Sequence, residues 1–100
     1  MKYQYSFLPE AQQEYEQSLI WYLERSTKAA ENFVLGVNQT LELICKHPLR
    51  WRNFYKNYYE LSVRKYPFSI IYSIEKEKSL IIITAIFHHK RNPKKKYPLK

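Results

Sequence analysis

One hundred residues allow one compact domain with a modest core, and a 45% hydrophobic content excludes a disordered tail. The 17 Lys and Arg outnumber 9 acidic residues, for a formal net charge of +8. The absence of Asp and the single Cys45 exclude aspartate-ligated two-metal chemistry, an EF-hand loop, an internal disulfide and a Cys-based zinc site.

The chain opens on a period-two pattern, with Tyr3, Tyr5 and Phe7 alternating with Gln4 and Ser6, which predicts a strand. Pro9 suits the first position of a helix and Glu10 suits its dipole, while Leu8 is a poor N-cap. Ala11, Tyr15, Leu19, Tyr22 and Leu23 then recur at helical spacing, predicting a helix from Glu10 to about Arg25. Ser26 and Thr27 can cap a second helix, expected over about 28–46 with the stripe Ala30, Phe33, Val34, Val37, Leu41, Ile44 and Cys45. Pro48 stops it. Gly36, the only glycine, lies off that stripe's centre, where it either admits the first helix closely or is an ordinary surface position.

Residues 48–59 read as a loop rich in aromatics and cations. A strand is expected over Leu61–Tyr66, a second over Phe68–Glu75 and a third over Leu80–Phe87, the last two joined by the polar turn Glu75-Lys76-Glu77-Lys78. From about residue 88 to 100 the chain reads as a basic surface tail. The order is strand, two-helix hairpin, three-stranded antiparallel meander. That predicts a single α+β domain over 1–100, with the helices on one antiparallel sheet.

Charge is segregated. Residues 1–50 carry a net −1 and residues 51–100 a net +9, which points to a polyanionic partner, nucleic acid or an acidic protein. Neither a signal peptide nor a run long enough to span a bilayer is read here, so a cytoplasmic protein without a membrane partner is expected. No metal or cofactor is expected.

Three groups of residues can carry chemistry. Arg50, Trp51, Arg52 and Lys56 can grip a nucleic acid by charge and stacking, or the aromatics of this loop can simply close the core. His88, His89, Arg91 and Tyr97 could supply a base, a phosphate-stabilising cation and an acid for metal-free RNA cleavage. The alternative is a solvated tail that meets an acidic partner. Adjacent histidines on a strand face opposite sides, so one at most serves a given site. Arg64, read as strand-borne on the open side of the sheet, can hold a phosphate or a carboxylate, or merely protect an edge.

The sequence resembles the RelE/ParE superfamily of toxins of bacterial type II toxin–antitoxin modules. The matching pieces are Phe7-Leu8-Pro9-Glu10-Ala11, Trp21-Tyr22, the stripe from Ala30 to His47-Pro48, the run Arg64 to Ile74, and Ala85 to Pro93. They cover about residues 3 to 93. The resemblance implies a helical hairpin on a four-stranded antiparallel sheet and a growth inhibitor neutralised by an acidic, partly disordered antitoxin segment. In that case Arg64, Lys65, Lys90, Arg91, Lys94, Lys95 and Lys96 would bind partners. It also implies a choice of targets: DNA gyrase for ParE-like members, messenger RNA in the ribosome for RelE-like nucleases. The segment Tyr66-Pro67-Phe68, the pair Trp21-Tyr22 and the ending His88…Arg91-Asn92-Pro93 look more like the ParE side, and Ser69 stands where nuclease members often place an Arg after the aromatic of the middle strand. In the nuclease alternative His88 or His89 would be acid or base, Arg64 or Arg91 would hold the phosphate, and Tyr97 would assist. A non-toxic nucleic-acid-binding domain is a further alternative.

Overall fold

The computed structural model describes residues 3–90. Eight elements run in order: β1 (Gln4–Phe7), α1 (Pro9–Leu23), α2 (Thr27–Lys46), β2 (Arg52–Tyr55), β3 (Tyr58–Ser62), β4 (Phe68–Glu75), a short 3₁₀ turn (Lys76–Lys78) and β5 (Leu80–His88). The sheet order is β1-β5-β4-β3-β2. All pairs are antiparallel except β1 with β5, which run parallel in the register Gln4 with Leu80 to Phe7 with Ile83. The sheet is therefore mixed and five-stranded, where four antiparallel strands were expected. Two amphipathic helices between β1 and the meander are the long connection that a parallel pair needs.

The extra strand is β2, inside the segment read as a loop. It pairs with β3 as a hairpin whose turn places Lys56 at φ 48°. Asn53 Nδ2 donates to the carbonyls of Lys56 and Tyr58 and holds that turn. A second correction concerns Arg64. β3 ends at Ser62, and Arg64 and Lys65 form a turn closed by Val63 N–H to the Phe68 carbonyl, with Lys65 at φ 71°. Arg64 is thus exposed on a turn at the end of the sheet and is not borne on a strand.

Helix starts follow the local chemistry. Leu8 caps α1 without a side-chain bond, and Pro9 needs no amide partner. Ser26 Oγ accepts from Ala29 N–H to cap α2. Gly36 does make room, though not for α1. A Cβ there would stand 3.3 Å from Val63 Cγ1 and 3.7 Å from the Tyr66 ring, so it admits the β3–β4 turn.

The helices cover one face of the sheet. Phe33, fully buried on α2, is the hub. Tyr15 and Tyr22 stack on it at 5.7 and 5.0 Å, and Tyr66 and Phe68 meet it at 5.8 and 5.5 Å. Val37, Leu41, Ile44, Ile70, Tyr72, Ile81, Ile83 and Ile86 continue that core. Cys45 is buried there as a small hydrophobe. Tyr72 lies at its far end, donating its phenol to the Pro48 carbonyl at 2.7 Å and stacking on Tyr59. Burial, and to a lesser degree the neighbouring Tyr59, pushes the Tyr72 phenol above its ordinary range. The opposite face has a much smaller apolar cluster, Ile71, Ala85 and Phe87 with Tyr58 against it. Among the described residues no helix is long and apolar enough to cross a membrane.

Candidate functional site

Alternation along the strands assigns each side chain to a face. On β5, Ile86 belongs to the helix-side core and Phe87 to the small cluster opposite. His88 therefore points to the helix side, where its ring meets Phe68 edge-on at 5.0 Å. Its Nδ1 accepts from the Lys90 amide at 3.1 Å. His89 points to the open side, where its Nε2 lies 2.9 Å from Ser69 Oγ. Ser69 is fully buried and shares a second hydrogen bond with Ser62 Oγ at 3.3 Å. The structure thus separates the two histidines, and the one on the open face ends a chain of two hydroxyls.

His89 N–H also donates to the Pro67 carbonyl at 2.9 Å. That bond ties the end of the described chain to the turn carrying Arg64 and Lys65. One end of the molecule consequently gathers Arg64, Lys65, Lys90 and both histidines. The helix hairpin adds its own connection here: Tyr66 reaches the Ala29 carbonyl at 3.5 Å, and the Tyr22 ring meets Tyr66 at 5.6 Å. Arg25 lies with its guanidinium 3.7 Å from the Trp21 ring centre and bonds the Trp21 carbonyl. A cleft opens at this end, between α1, the start of β4 and the end of β5, lined by Trp21, Tyr22, Pro67, Phe68, Ile86 and His88 with Glu14 at its side. Glu14 accepts from the Ile86 amide at 2.9 Å. The edge of β5 beyond Ile83 has no strand partner on that side among the described residues, and this carboxylate satisfies one of its donors.

The basic-aromatic segment lies elsewhere. Trp51 packs half-buried against the core and donates Nε1–H to the Leu43 carbonyl, with Arg50 over its ring at 5.6 Å. Trp51 thus serves as a core-closing aromatic. Tyr58 packs against the open-face cluster, and Tyr55 stacks on Tyr58 at 6.1 Å. Arg52 stands opposite Glu60 across the β2–β3 ladder, and Lys56 sits above the Tyr55 ring at 5.4 Å. Arg50, Arg52 and Lys56 therefore follow the outer hairpin: Lys56 sits at its far turn, whereas Arg52, opposite Glu60, lies on the edge strand two residues from the level of the Ser62–Ser69 pair. Arg91, Lys94, Lys95, Lys96 and Tyr97 lie outside the described residues. The Glu14 cap and the cleft beside it were missed from sequence. Their only signal was a glutamate on the first helix, four residues before Ser18 and seven before Trp21.

Comparison with known proteins agrees with this architecture. Residues 5–93 match the family model of the ParE toxin of the type II toxin–antitoxin system parDE. Among solved structures, the chromosomal ParDE system of P. aeruginosa superposes with a TM-score of 0.72 at 12% identity, over 87% of this chain and 96% of that one. The RelBE2 toxin–antitoxin complex of Mycobacterium tuberculosis gives 0.62 at 14% identity, over 88% and 99%. The intact E. coli RelBE complex gives 0.62 at 14%, over 89% and 99%. At such identities the structural likeness is one of fold, and no curated protein is significantly similar. The family match spans nearly the whole chain, and the chain therefore belongs to the ParE toxin family of type II toxin–antitoxin systems.

Proposed function

We propose that this toxin acts in the ParE manner, in the cytoplasm. It arrests growth by binding a protein target, with DNA gyrase the target the family likeness implies, and an acidic antitoxin segment neutralises it. One observation carries this reading. Ser69, where nuclease relatives often place an arginine, is buried and hydrogen-bonded between Ser62 and His89. Among the described residues β3, β4 and β5 carry no Lys or Arg, and the open-side cation of the sheet, Arg52 on the edge strand β2, stands opposite Glu60. A metal-free phosphate cleavage needs a cation beside the pentavalent phosphorus, besides its acid and base. Arg64 and Lys65 instead stand on the terminal turn, where they suit a carboxylate-rich partner.

A RelE-like ribonuclease is the second reading, favoured by the exposed His89 on the open face. In it His89 would act as acid or base, and the cation would come from Arg64 or Arg91. The test is induction without antitoxin in bacteria, with messenger RNA integrity and gyrase-dependent DNA breaks followed in one culture. Intact transcripts with DNA breaks are expected. Rapid transcript cleavage would overturn the first reading, and normal growth would leave a nucleic-acid-binding domain without toxicity.

A further inference from the structure

We propose that the cleft between α1, the start of β4 and the end of β5 is an anchor pocket, which takes one large apolar side chain of an acidic partner peptide. This inference rests on the reading that an acidic segment neutralises the toxin, and it specifies where that segment is held and by what.

The cleft measures about 370 Å³. That is near the low end of the range of roughly 300–1,000 Å³ for ligand pockets, which suits one or two side chains and not a packed helix. Its walls are Trp21, Tyr22, Phe68 and Pro67, with His88 and Glu14 at the edges. Trp21 is 50% exposed although it is the largest side chain of α1, and Arg25 stacks on it at 3.7 Å. A solvent-exposed Trp held by a stacked Arg beside an aromatic slot has the composition of an interface hot spot. The Glu14 carboxylate already accepts from the Ile86 amide, so it occupies that edge donor and leaves the aromatic walls to the guest.

Charge selects the partner. The cleft opens at the end of the molecule that carries Arg64 and Lys65 on the turn before Pro67, Lys90 just after His89, and Arg25 on Trp21. Against these four cations the same end offers Glu24, 3.9 Å from Arg25, and Glu14 in the wall. A peptide with carboxylates on both sides of an apolar anchor meets favourable charge along this rim while its anchor loses water in the slot. A basic or neutral segment has no such gain. An oligonucleotide would use the cations, but a flexible apolar anchor has no counterpart in it.

The test uses the full chain and fluorescein-labelled peptides with four glutamates on each side of one phenylalanine. Binding of this peptide is expected. Replacing its phenylalanine by serine should weaken binding about tenfold or more, the worth of one buried aromatic. Trp21→Ala should cost a similar factor, and the two losses should not add, because they remove the same contact. Ser18→Phe, which fills the slot and leaves every cation in place, should block the anchor if Trp21→Ala disturbs folding. Arg64→Glu with Lys90→Glu should weaken binding and flatten its salt dependence. The proposal is overturned if the serine peptide binds equally, if a lysine-flanked peptide binds as well, or if no peptide binds at millimolar concentration. The cognate antitoxin separates the two levels. An antitoxin that restores growth but binds the Trp21→Ala and Ser18→Phe toxins unchanged overturns only the anchor pocket. An antitoxin that fails to restore growth overturns the underlying reading.

Discussion

The two faces of the sheet are built to different standards. The helix side holds a continuous core, with Phe33 at the centre of four aromatic rings and Tyr72 closing the far end. Among the described residues the open side has a buried apolar cluster of only Ile71, Ala85 and Phe87, and beside them it commits polar side chains, Ser62, the buried Ser69 and His89, to one another. Since stability scales with apolar area removed from water, the covered face should hold the fold and the open face should tolerate change. The difference separates two questions that a single mutant can confuse, whether the toxin folds and whether it acts.

The largest effect should come from the hub. Phe33→Ala removes a fully buried ring and leaves a cavity that four neighbouring aromatics cannot fill without leaving their places. A loss of about 3–5 kcal/mol is expected, read by urea unfolding. A loss below about 1 kcal/mol would mean that the covered face does not carry the fold.

Tyr72→Phe should come next. It keeps the ring stack on Tyr59 but strips the Pro48 carbonyl of its buried donor, a loss of about 1–3 kcal/mol. The same residue predicts a pH dependence. Its folded-state phenol titrates above its unfolded value of about 10. The folded state therefore holds the proton longer, and this stabilisation is complete below pH ~10 and is lost as pH rises further. Urea unfolding of the wild type should show this alkaline fall, and the Phe variant should show less of it.

On the open face, Ser69→Ala removes two hydrogen bonds of a buried hydroxyl but no apolar surface. About 1 kcal/mol is expected by the same unfolding measurement. A loss as large as that of Phe33→Ala would erase the contrast between the faces.

The contrast also governs what could be read in the sequence. α2, β4 and β5 were legible because burial on the covered face imposes period and apolar runs. Phe33, Val37, Leu41 and Ile44 recur at helical spacing, and Ile70, Tyr72 and Ile74 alternate into the core. The polar run Glu75–Lys78 marked the β4–β5 turn, but the β2–β3 and β3–β4 turns were not legible, because their left-handed residues are Lys56 and Lys65 and neither is glycine. Without that punctuation β2 passed for loop, and Arg64 passed for a strand residue. The sites suffered for the same reason. Lys65 makes the turn that carries Arg64 to the end of the sheet, and β1's early departure at Phe7 leaves the β5 edge that Glu14 caps. Both depend on chain reversals and edge registers, which no local pattern encodes.

The smallest structural effect should be that of His89→Ala, and it is the most informative for function. The side chain is exposed and its bond to Ser69 can pass to water, so unfolding should shift by about 0.5 kcal/mol or less. His88 cannot take its place, because alternation turns that ring to the helix side against Phe68. If the toxin acts by binding a protein, growth arrest on induction should persist in the His89→Ala variant and DNA breaks should continue. If it cleaves RNA, loss of the only described histidine on the open face should abolish transcript cleavage and toxicity while the protein remains folded. Stability and toxicity measured on the same variant therefore decide whether the open face is chemistry or merely the back of the sheet.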